Sequence, residues 1–227
     1  MNLNEPLSID IAGEGQPIVK KPKDKDWSGT TLPWMSIGYE VRQTPLQILT
    51  FYNAVANNGK MMKPMFIKEI RRRGKVIKSF RPVTINESIC SQSTIKKAKI
   101  LLEGVIQNGT GTNLSNDTYR IAGKTGTVQI ANRNYGYKYD GKYSYQASFV
   151  GFFPAENPKY SCIVVVNAPS NDVYYGNLVA GPIFKEIADK VYASTLEIHH
   201  NLADDTALYW GPREDGKIGR ASCRERV

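Results

Sequence analysis

The segment YRIAGKTGTVQ, residues 119–129, reads as a β-strand and begins the part of the chain that decides the fold. Two strongly apolar runs follow it, SFVGFFP at 148–154 and YSCIVVVNAP at 160–169. Both are rich in the β-branched and aromatic residues that favour strands, and the turn residues Glu156-Asn157-Pro158 separate them. Consecutive strands joined by so short a turn predict antiparallel pairing.

Helical spacing of apolar residues precedes and follows these strands. Thr44-Pro45 opens one helix, because Thr is a good N-cap and Pro fits the first helical position, and Asn57-Asn58-Gly59 ends it. Further helices are predicted over about 94–107 and 178–196. The order of elements predicts an α+β fold in which helices flank an antiparallel sheet, with strands near 119–130, 146–154 and 159–168.

The net charge of +9 is concentrated in two short segments, residues 66–82 and residues 217–227. Residues 66–82, FIKEIRRRGKVIKSFRP, carry seven basic residues against Glu69, and their apolar runs on either side of Arg73-Gly74 predict a hairpin. Basic side chains there suit a solvated face or an exposed strand edge. No recognition helix or stacking-aromatic pattern accompanies them, so we expect no nucleic-acid partner, although a basic binding module without chemistry stays an alternative.

We expect one domain followed by two C-terminal segments that are not part of it. Residues 1–34 are rich in Pro, Gly and Ser and predict an extended segment within a domain that spans 1–199. The stretch 200–216 has no clear periodicity and is a tail of uncertain origin. The last eleven residues, KIGRASCRERV at 217–227, resemble the in-frame translation of a sequencing adapter and are excluded from the domain. Three scattered cysteines argue against a disulfide framework or a zinc site, and no cofactor is expected.

The motif that points to chemistry is Ala122-Gly123-Lys124-Thr125-Gly126-Thr127. A phosphate-binding loop would need glycine at position 118, where the chain has Thr, and a helix after the lysine, where the chain continues as a strand. The alternative is the Lys-Thr-Gly strand of penicillin-recognising acyl-transfer enzymes.

A strand places Lys124 and Gly126 on one face, and Thr125 and Thr127 on the other. Glycine lets a substrate backbone approach closely, the lysine supplies positive charge, and threonine hydroxyls can bind a carboxylate. An incidental lysine on a glycine-containing strand remains the simpler alternative when the motif is considered alone.

Three further segments flank the motif in the same order as in a known family. They are MSIGYEVRQTPLQILTFYNAVANNG at 35–59, GVIQNGTGTN at 104–113 and SFVGFFPAENPKY at 148–160. Together with residues 119–129 they resemble the C-terminal half of the transpeptidase domain of class B penicillin-binding proteins. These are the peptidoglycan D,D-transpeptidases of cell division and elongation, and the resemblance covers about residues 2–198.

The resemblance implies a partial transpeptidase or serine β-lactamase-like fold and gives the motif its roles. Lys124 would support the proton network and bind substrate charge. Thr125 and Thr127, beside Gly126, would bind the carboxylate of a stem peptide or a β-lactam. The Thr127 N–H would form half of the oxyanion hole. No metal is implied.

The nucleophile of that family, a serine in S-x-x-K, has no convincing counterpart. The one match, Ser93-Thr94-Ile95-Lys96, ends only 28 positions before Lys124, and its serines suit a helix N-cap. The match Tyr175-Gly176-Asn177 follows the motif, whereas an S-x-N equivalent would precede it. We therefore expect the nucleophile, S-x-N and a membrane anchor to lie upstream, and the chain alone to be inactive.

The expected function is thus part of a serine D,D-transpeptidase that cross-links stem peptides ending in D-Ala-D-Ala and binds penicillin. A β-lactamase or β-lactam-sensor domain of the same fold is the alternative. The resemblance further implies an extracytoplasmic location and, for the parent protein, a glycosyltransferase and other divisome or elongasome proteins as partners.

Overall fold

The computed structural model describes residues 3–132, 134, 136–139, 141–170 and 173–195. The helices are α1 (Thr31–Ser36), α2 (Pro45–Ala56), α3 (Gln92–Gln107) and α4 (Gly176–Ser194), and a 3-10 turn covers Thr112–Leu114. The strands are β1 (Ile18–Val19), β2 (Val41–Arg42), β3 (Met61–Met62), β4 (Glu69–Arg72), β5 (Lys75–Ser79), β6 (Thr84–Asn86), β7 (Ala122–Gln129), β8 (Lys138–Tyr139), β9 (Lys142–Tyr143), β10 (Tyr145–Phe153) and β11 (Tyr160–Asn167).

The predicted sheet is confirmed. Its strands are antiparallel and follow the order β11-β10-β7, so β10 is central and pairs with both neighbours. In this register Val150 lies opposite Lys124 on one side and Ile163 on the other. The central strand is the most deeply buried of the three, which agrees with its apolar sequence.

Helices cover both faces of this sheet. On one face α2 and α3 pack over Phe152, and the Asn53 side chain of α2 donates to Ser161 Oγ of β11 at 3.0 Å. On the other face Phe184 of α4 contacts the ring of Phe149, with 4.7 Å between the ring centroids. The core is therefore two layers of apolar side chains with the sheet between them.

The ends of the helices follow from their sequences. Thr44 caps α2 in a capping box: its hydroxyl accepts from the Gln47 N–H, and the Gln47 side chain accepts from the Thr44 N–H at 2.8 Å. Ser91 caps α3, where its Oγ accepts from the Thr94 N–H at 3.2 Å. The first two of the three predicted helices are thus confirmed, and α3 begins at Gln92, two residues earlier than the apolar spacing suggested. The third, predicted over about 178–196, is observed as α4, Gly176–Ser194.

The basic hairpin is also confirmed, as β4 paired with β5. Arg73 and Gly74 form its turn with positive φ angles of 49° and 79°. Every residue of β5 is exposed, so its lysines are solvated as the alternating sequence predicted. Within residues 1–34 the described structure is mainly turns, with the two-residue strand β1 and the start of α1.

Residues up to Lys190 form one compact unit. Of the unit that follows, Val191–Val227, the structure describes only the end of α4 and Thr195. The stretches 200–216 and 217–227 lie outside the described residues. None of the helices in the described ranges is long and apolar enough to cross a membrane.

The ring of Phe184 provides a test of how strongly α4 is held. Phe184 is fully buried between Phe149 and Phe153, so Phe184→Ala should lower the free energy of unfolding by about 3–5 kcal/mol. The control Ile100→Ala removes a side chain that is 68% exposed on α3 and should change stability by less than about 0.5 kcal/mol. Urea denaturation of both variants measures this, and equal losses would contradict the assigned packing.

Asp189 of α4 joins that helix to the segment before β7. Its Oδ1 accepts from Tyr119 Oη at 2.7 Å and Asn116 Nδ2 at 3.0 Å, and its Oδ2 accepts from Lys185 Nζ at 2.7 Å. Burial raises the pKa of this carboxyl, but the hydrogen bonds from Lys185, Tyr119 and Asn116 and the charge of Lys185 outweigh it. The pKa therefore lies below its ordinary value of 3.8.

A depressed carboxyl pKa stabilises the folded chain above pH 3.8, and this contribution is lost as pH falls through the folded-state value. Asp189→Asn should therefore be less stable than the unmodified chain at pH 7, and the difference should vanish in strong acid. The exposed Asp117→Asn is the control. Thermal unfolding measured from pH 7 to pH 2 tests this, and a difference that is constant with pH would refute it.

Candidate functional site

The motif Lys124-Thr125-Gly126-Thr127 lies on an outer strand of the sheet. β7 pairs with β10 along one edge, and within the described residues no strand pairs with its other edge. Alternate backbone N–H and C=O groups of β7 therefore face outward at this edge. Such an edge can bind an extended peptide through main-chain hydrogen bonds.

The pairing with β10 divides the motif between the two faces of the sheet. Lys124 and Gly126 lie opposite Val150 and Ser148, on the face that α2 and α3 cover. Thr125 and Thr127 lie opposite Phe149 and Ala147, on the face of α4. The alternation predicted from the sequence is thus the one observed.

Gly126 packs closely against a side chain of the facing strand. A Cβ atom at this position would lie 2.5 Å from Ser148 Oγ on the facing strand. A side chain there would have to turn the Ser148 hydroxyl away. Glycine avoids this contact and leaves space beside Lys124.

Lys124 presents its charge at the exposed part of the strand. Its Nζ donates to the Thr125 carbonyl oxygen at 2.8 Å and approaches Thr125 Oγ1 at 3.4 Å. Among the described residues no carboxylate lies within ion-pair distance of it. An exposed ammonium whose described contacts are to a carbonyl and a hydroxyl oxygen, with no carboxylate among the described residues, is available to an anionic ligand.

The hydroxyl of Thr125 contacts the loop between α3 and β7. Thr110 Oγ1 lies 2.9 Å from Thr125 Oγ1, and either atom can be the donor. Thr110 belongs to the segment Gly109-Thr110-Gly111-Thr112-Asn113. This loop therefore lies directly beside the motif.

The hydroxyl of Thr127 contacts the start of α4. The Gly176 N–H donates to Thr127 Oγ1 at 3.0 Å. A Cβ atom at Gly176 would lie 2.5 Å from the Ser148 carbonyl oxygen and 2.6 Å from that of Gly126, so only glycine fits against both strands. The first residue of α4 is thus packed on the motif itself.

Aromatic rings border the same region. Tyr174, just before α4, stacks on Tyr145 of β10 with 3.9 Å between the ring centroids. The adjacent Tyr175 ring lies 4.7 Å from Tyr174, and hydrogen bonding with Tyr175 raises the pKa of the Tyr174 phenol. The rings hold the segment before α4 against the central strand.

The structure places Ser93 at a helix end. It lies on the first turn of α3, exposed, with its Oγ 3.0 Å from that of the N-cap Ser91. The hydrogen bonds described for it do not include Lys96. The hydroxyl therefore has a structural use at the helix N-terminus, and no base is among its described hydrogen-bond partners.

The sequence matches the family described as the penicillin binding protein transpeptidase domain over residues 1–189. The chain belongs to this family. It is 33% identical over 191 residues to the peptidoglycan D,D-transpeptidase FtsI of Buchnera aphidicola, covering 83% of this chain and 31% of that protein. To stage V sporulation protein D of Bacillus subtilis it is 33% identical over 189 residues, covering 79% of this chain and 27% of the relative.

Solved structures agree with the sequence comparison. Penicillin-binding protein 3 of Mycobacterium tuberculosis in its apo form superposes with a TM-score of 0.72 and 28% identity, covering 88% of this chain and 45% of that one. The same protein complexed with ampicillin gives a TM-score of 0.69 and 29% identity, covering 83% and 42%. The α+β class and the transpeptidase fold expected from the sequence are thereby confirmed. The chain spans less than a third of the length of the two curated relatives.

Several neighbours of the motif are not identifiable from the sequence as part of the site. Ser148 is one residue of an apolar strand, and Gly176 belongs to a Tyr-x-Asn match whose place in the chain argued against a family role. Thr110 and Asn113 lie in a segment that resembles the family, but nothing in the sequence shows which side chains they contact. The one signal near Thr110 and Asn113 is the pair Gly109 and Gly111, which permits close backbone approach.

The position of Ser93 leads to a test with penicillin. Because its hydroxyl bonds to the N-cap of α3 and no base is among its described hydrogen-bond partners, any labelling of the chain by fluorescent penicillin should be unchanged by Ser93→Ala. Ser88→Ala, which removes a hydroxyl that donates to the Cys90 carbonyl oxygen, is the matched control. Stoichiometric labelling that disappears only in Ser93→Ala would identify Ser93 as the nucleophile and contradict its purely structural role at the helix end.

Proposed function

We propose that this chain provides the carboxylate-recognition edge of a serine D,D-transpeptidase that cross-links peptidoglycan stem peptides. The observation that carries the proposal is the Lys-Thr-Gly-Thr motif on the open edge of β7. Within four residues it holds two hydroxyls and one ammonium that has no ion-pair partner among the described residues. Penicillin, which carries a carboxylate beside its reactive amide, is the second proposed ligand of the same edge.

Each residue of the motif has a role that its position supports. Lys124 attracts the C-terminal carboxylate of D-Ala-D-Ala and supports the proton network of the acyl transfer. The hydroxyls of Thr125 and Thr127 donate hydrogen bonds to that carboxylate, and Gly126 lets the peptide backbone approach the strand. The Thr127 N–H contributes half of the oxyanion hole, where it would stabilise negative charge developing on the scissile carbonyl oxygen.

The acyl transfer itself needs a serine nucleophile and a base. We propose that the S-x-x-K serine and the S-x-N motif are outside these 227 residues, because the one S-x-x-K match is used at the end of α3. This chain then binds and orients the substrate, and the serine attacks the penultimate D-Ala carbonyl. That attack would form the acyl-enzyme and release the terminal D-Ala, and the acyl group would then pass to an amine of a neighbouring stem peptide and free the serine.

The named relatives support this assignment. FtsI is named a peptidoglycan D,D-transpeptidase, and penicillin-binding protein 3 has been solved with ampicillin. From the resemblance to class B penicillin-binding proteins we propose an extracytoplasmic location, reached through a membrane anchor. A glycosyltransferase and other divisome or elongasome proteins are the proposed partners of the whole protein.

The expected affinity of the edge is low because Lys124 is exposed. Hydrogen bonds to a charged group contribute roughly 1.5–3 kcal/mol each, before the entropy of holding the peptide is subtracted. A dissociation constant of about 1 mM corresponds to about −4.1 kcal/mol, which two or three such bonds can supply. Recognition at this strand is therefore measurable by titration with a short peptide.

The proposal predicts that the dipeptide D-alanyl-D-alanine, acetylated at its N-terminus, binds the full chain at β7. In an NMR titration the amide signals of Thr125, Gly126 and Thr127 should shift. Thr127→Val, which keeps the side-chain shape and removes the hydroxyl, should raise the dissociation constant about tenfold, and Lys124→Met should do the same.

Two controls separate carboxylate recognition from unspecific binding. The same dipeptide with an amidated C-terminus should bind at least about tenfold more weakly, because it carries no negative charge. Thr118→Val and Lys97→Met change exposed residues away from the motif and should leave the dissociation constant unchanged. Equal binding of the amidated peptide, or no shift at Thr125–Thr127, would rule out the proposed role of this edge.

A further inference from the structure

Two segments that are far apart in the chain meet at the Lys-Thr-Gly-Thr strand, and neither has a role in the proposed function. They are residues 110–113, in the loop after α3, and residues 174–177, at the start of α4, and together they are called the brace. We propose that the brace positions the two threonine hydroxyls as donors to the ligand carboxylate, and that Asn113 acts as a remote positioning residue. The inference rests on the proposed function.

The contact at Thr127 determines which way its hydroxyl can donate. Because Thr127 Oγ1 already accepts the Gly176 N–H, its own hydrogen is directed away from α4 and remains available. A carboxylate can only accept hydrogen bonds, so a hydroxyl held in this way is prepared for it. A rotated hydroxyl would present a lone pair to the negative charge.

The contact between Thr125 and the loop after α3 can likewise leave a hydroxyl hydrogen available to the ligand. Thr110 Oγ1 and Thr125 Oγ1 lie 2.9 Å apart and share one hydrogen between them. When Thr110 donates, the hydrogen of Thr125 is free for the ligand. A bound carboxylate favours this arrangement of the pair, because it gives the anion one more donor.

Asn113 joins the two halves of the brace. Its Nδ2 donates to the Asn177 carbonyl oxygen at 2.8 Å, across 64 positions of the chain. The contacts therefore close a ring: from Thr125 to Thr110, along the loop to Asn113, across to residues 177 and 176, and back through Thr127. The adjacent Leu114 is 1% exposed, so the loop is anchored directly beside Asn113.

The ring couples an exposed side chain to the ligand edge without direct contact. Asn113 is itself exposed and lies on neither β7 nor β10. Its amide can therefore be removed without opening the core. What is lost is the link that keeps Gly176 and Thr110 at fixed positions relative to the strand. Binding of the ligand must then order these residues, and the entropy lost in doing so weakens the affinity.

The experiment uses the full chain and the acetylated D-alanyl-D-alanine titration. Asn113→Ala should raise the dissociation constant about three- to tenfold and should increase the hydrogen-exchange rate of the Gly176 amide. The matched control is Asn57→Ala. It removes another exposed asparagine amide that donates to a backbone carbonyl, that of Lys60 at 3.0 Å, at the far end of α2. It should leave both measurements unchanged.

A second variant guards against a purely steric explanation. Asn113→Asp keeps the shape of the side chain but turns a carboxylate oxygen toward the Asn177 carbonyl, so it should weaken binding at least as much as Asn113→Ala. Thermal unfolding of Asn113→Ala and Asn57→Ala should show similar, small losses of stability. A selective loss of binding would then distinguish positioning from a structural role.

The outcomes separate this inference from the proposed function. If Thr127→Val weakens binding and Asn113→Ala binds like the unmodified chain, the edge recognises carboxylates and the brace is refuted. If the unmodified chain does not bind the dipeptide at β7, the proposed function fails, and the brace fails with it. Unchanged exchange at Gly176 in Asn113→Ala would also overturn the coupling.

Discussion

The antiparallel pairing of β7 with β10 is the constraint on which the site depends. It fixes which residues of the motif face α4 and which face α2 and α3, because opposite residues of paired strands share a face. A shift of one residue would exchange Lys124 with Thr125 and bury the charge beside Phe149. The deeply buried Phe149 and Phe152 oppose such a shift, since each fills a different layer of the core. Core packing therefore determines the chemistry of the exposed edge.

The elements of the fold were predictable because their signals are local. Thr44-Pro45, Ser91 and Arg73-Gly74 each determine a cap or turn within a few residues, and the β-branched and aromatic runs at 148–154 and 160–169 favour strands. The contacts around the motif were not predictable in this way. Thr110 and Thr125 are 15 positions apart, and Gly176 and Thr127 are 49 apart. Such pairs follow from the tertiary arrangement of α3, β7 and α4, which a single sequence does not specify.

The distribution of charge illustrates the same difference between local and tertiary information. The densest basic segment, 66–82, forms the hairpin of β4 and β5, and its charges are solvated there. They are not part of the site on β7. Lys124 is a single charge, but the strand holds it beside two hydroxyls and an open backbone edge. Specific binding of a carboxylate requires donors at fixed positions around the anion, and a larger but mobile positive charge does not provide them.

The edge strand must be accessible to a ligand and also held in place, and its contact with α4 allows both. A strand with one unpaired edge is free to bind a peptide, but it lacks the second neighbour that would hold it in place. Here the missing support comes from the α4 face: Gly176 lies against Gly126 and Ser148, and its N–H reaches Thr127. Because that support approaches from the face of the sheet, the edge itself remains open. An edge strand can thus be rigid enough to orient two hydroxyls while its backbone stays accessible to the ligand.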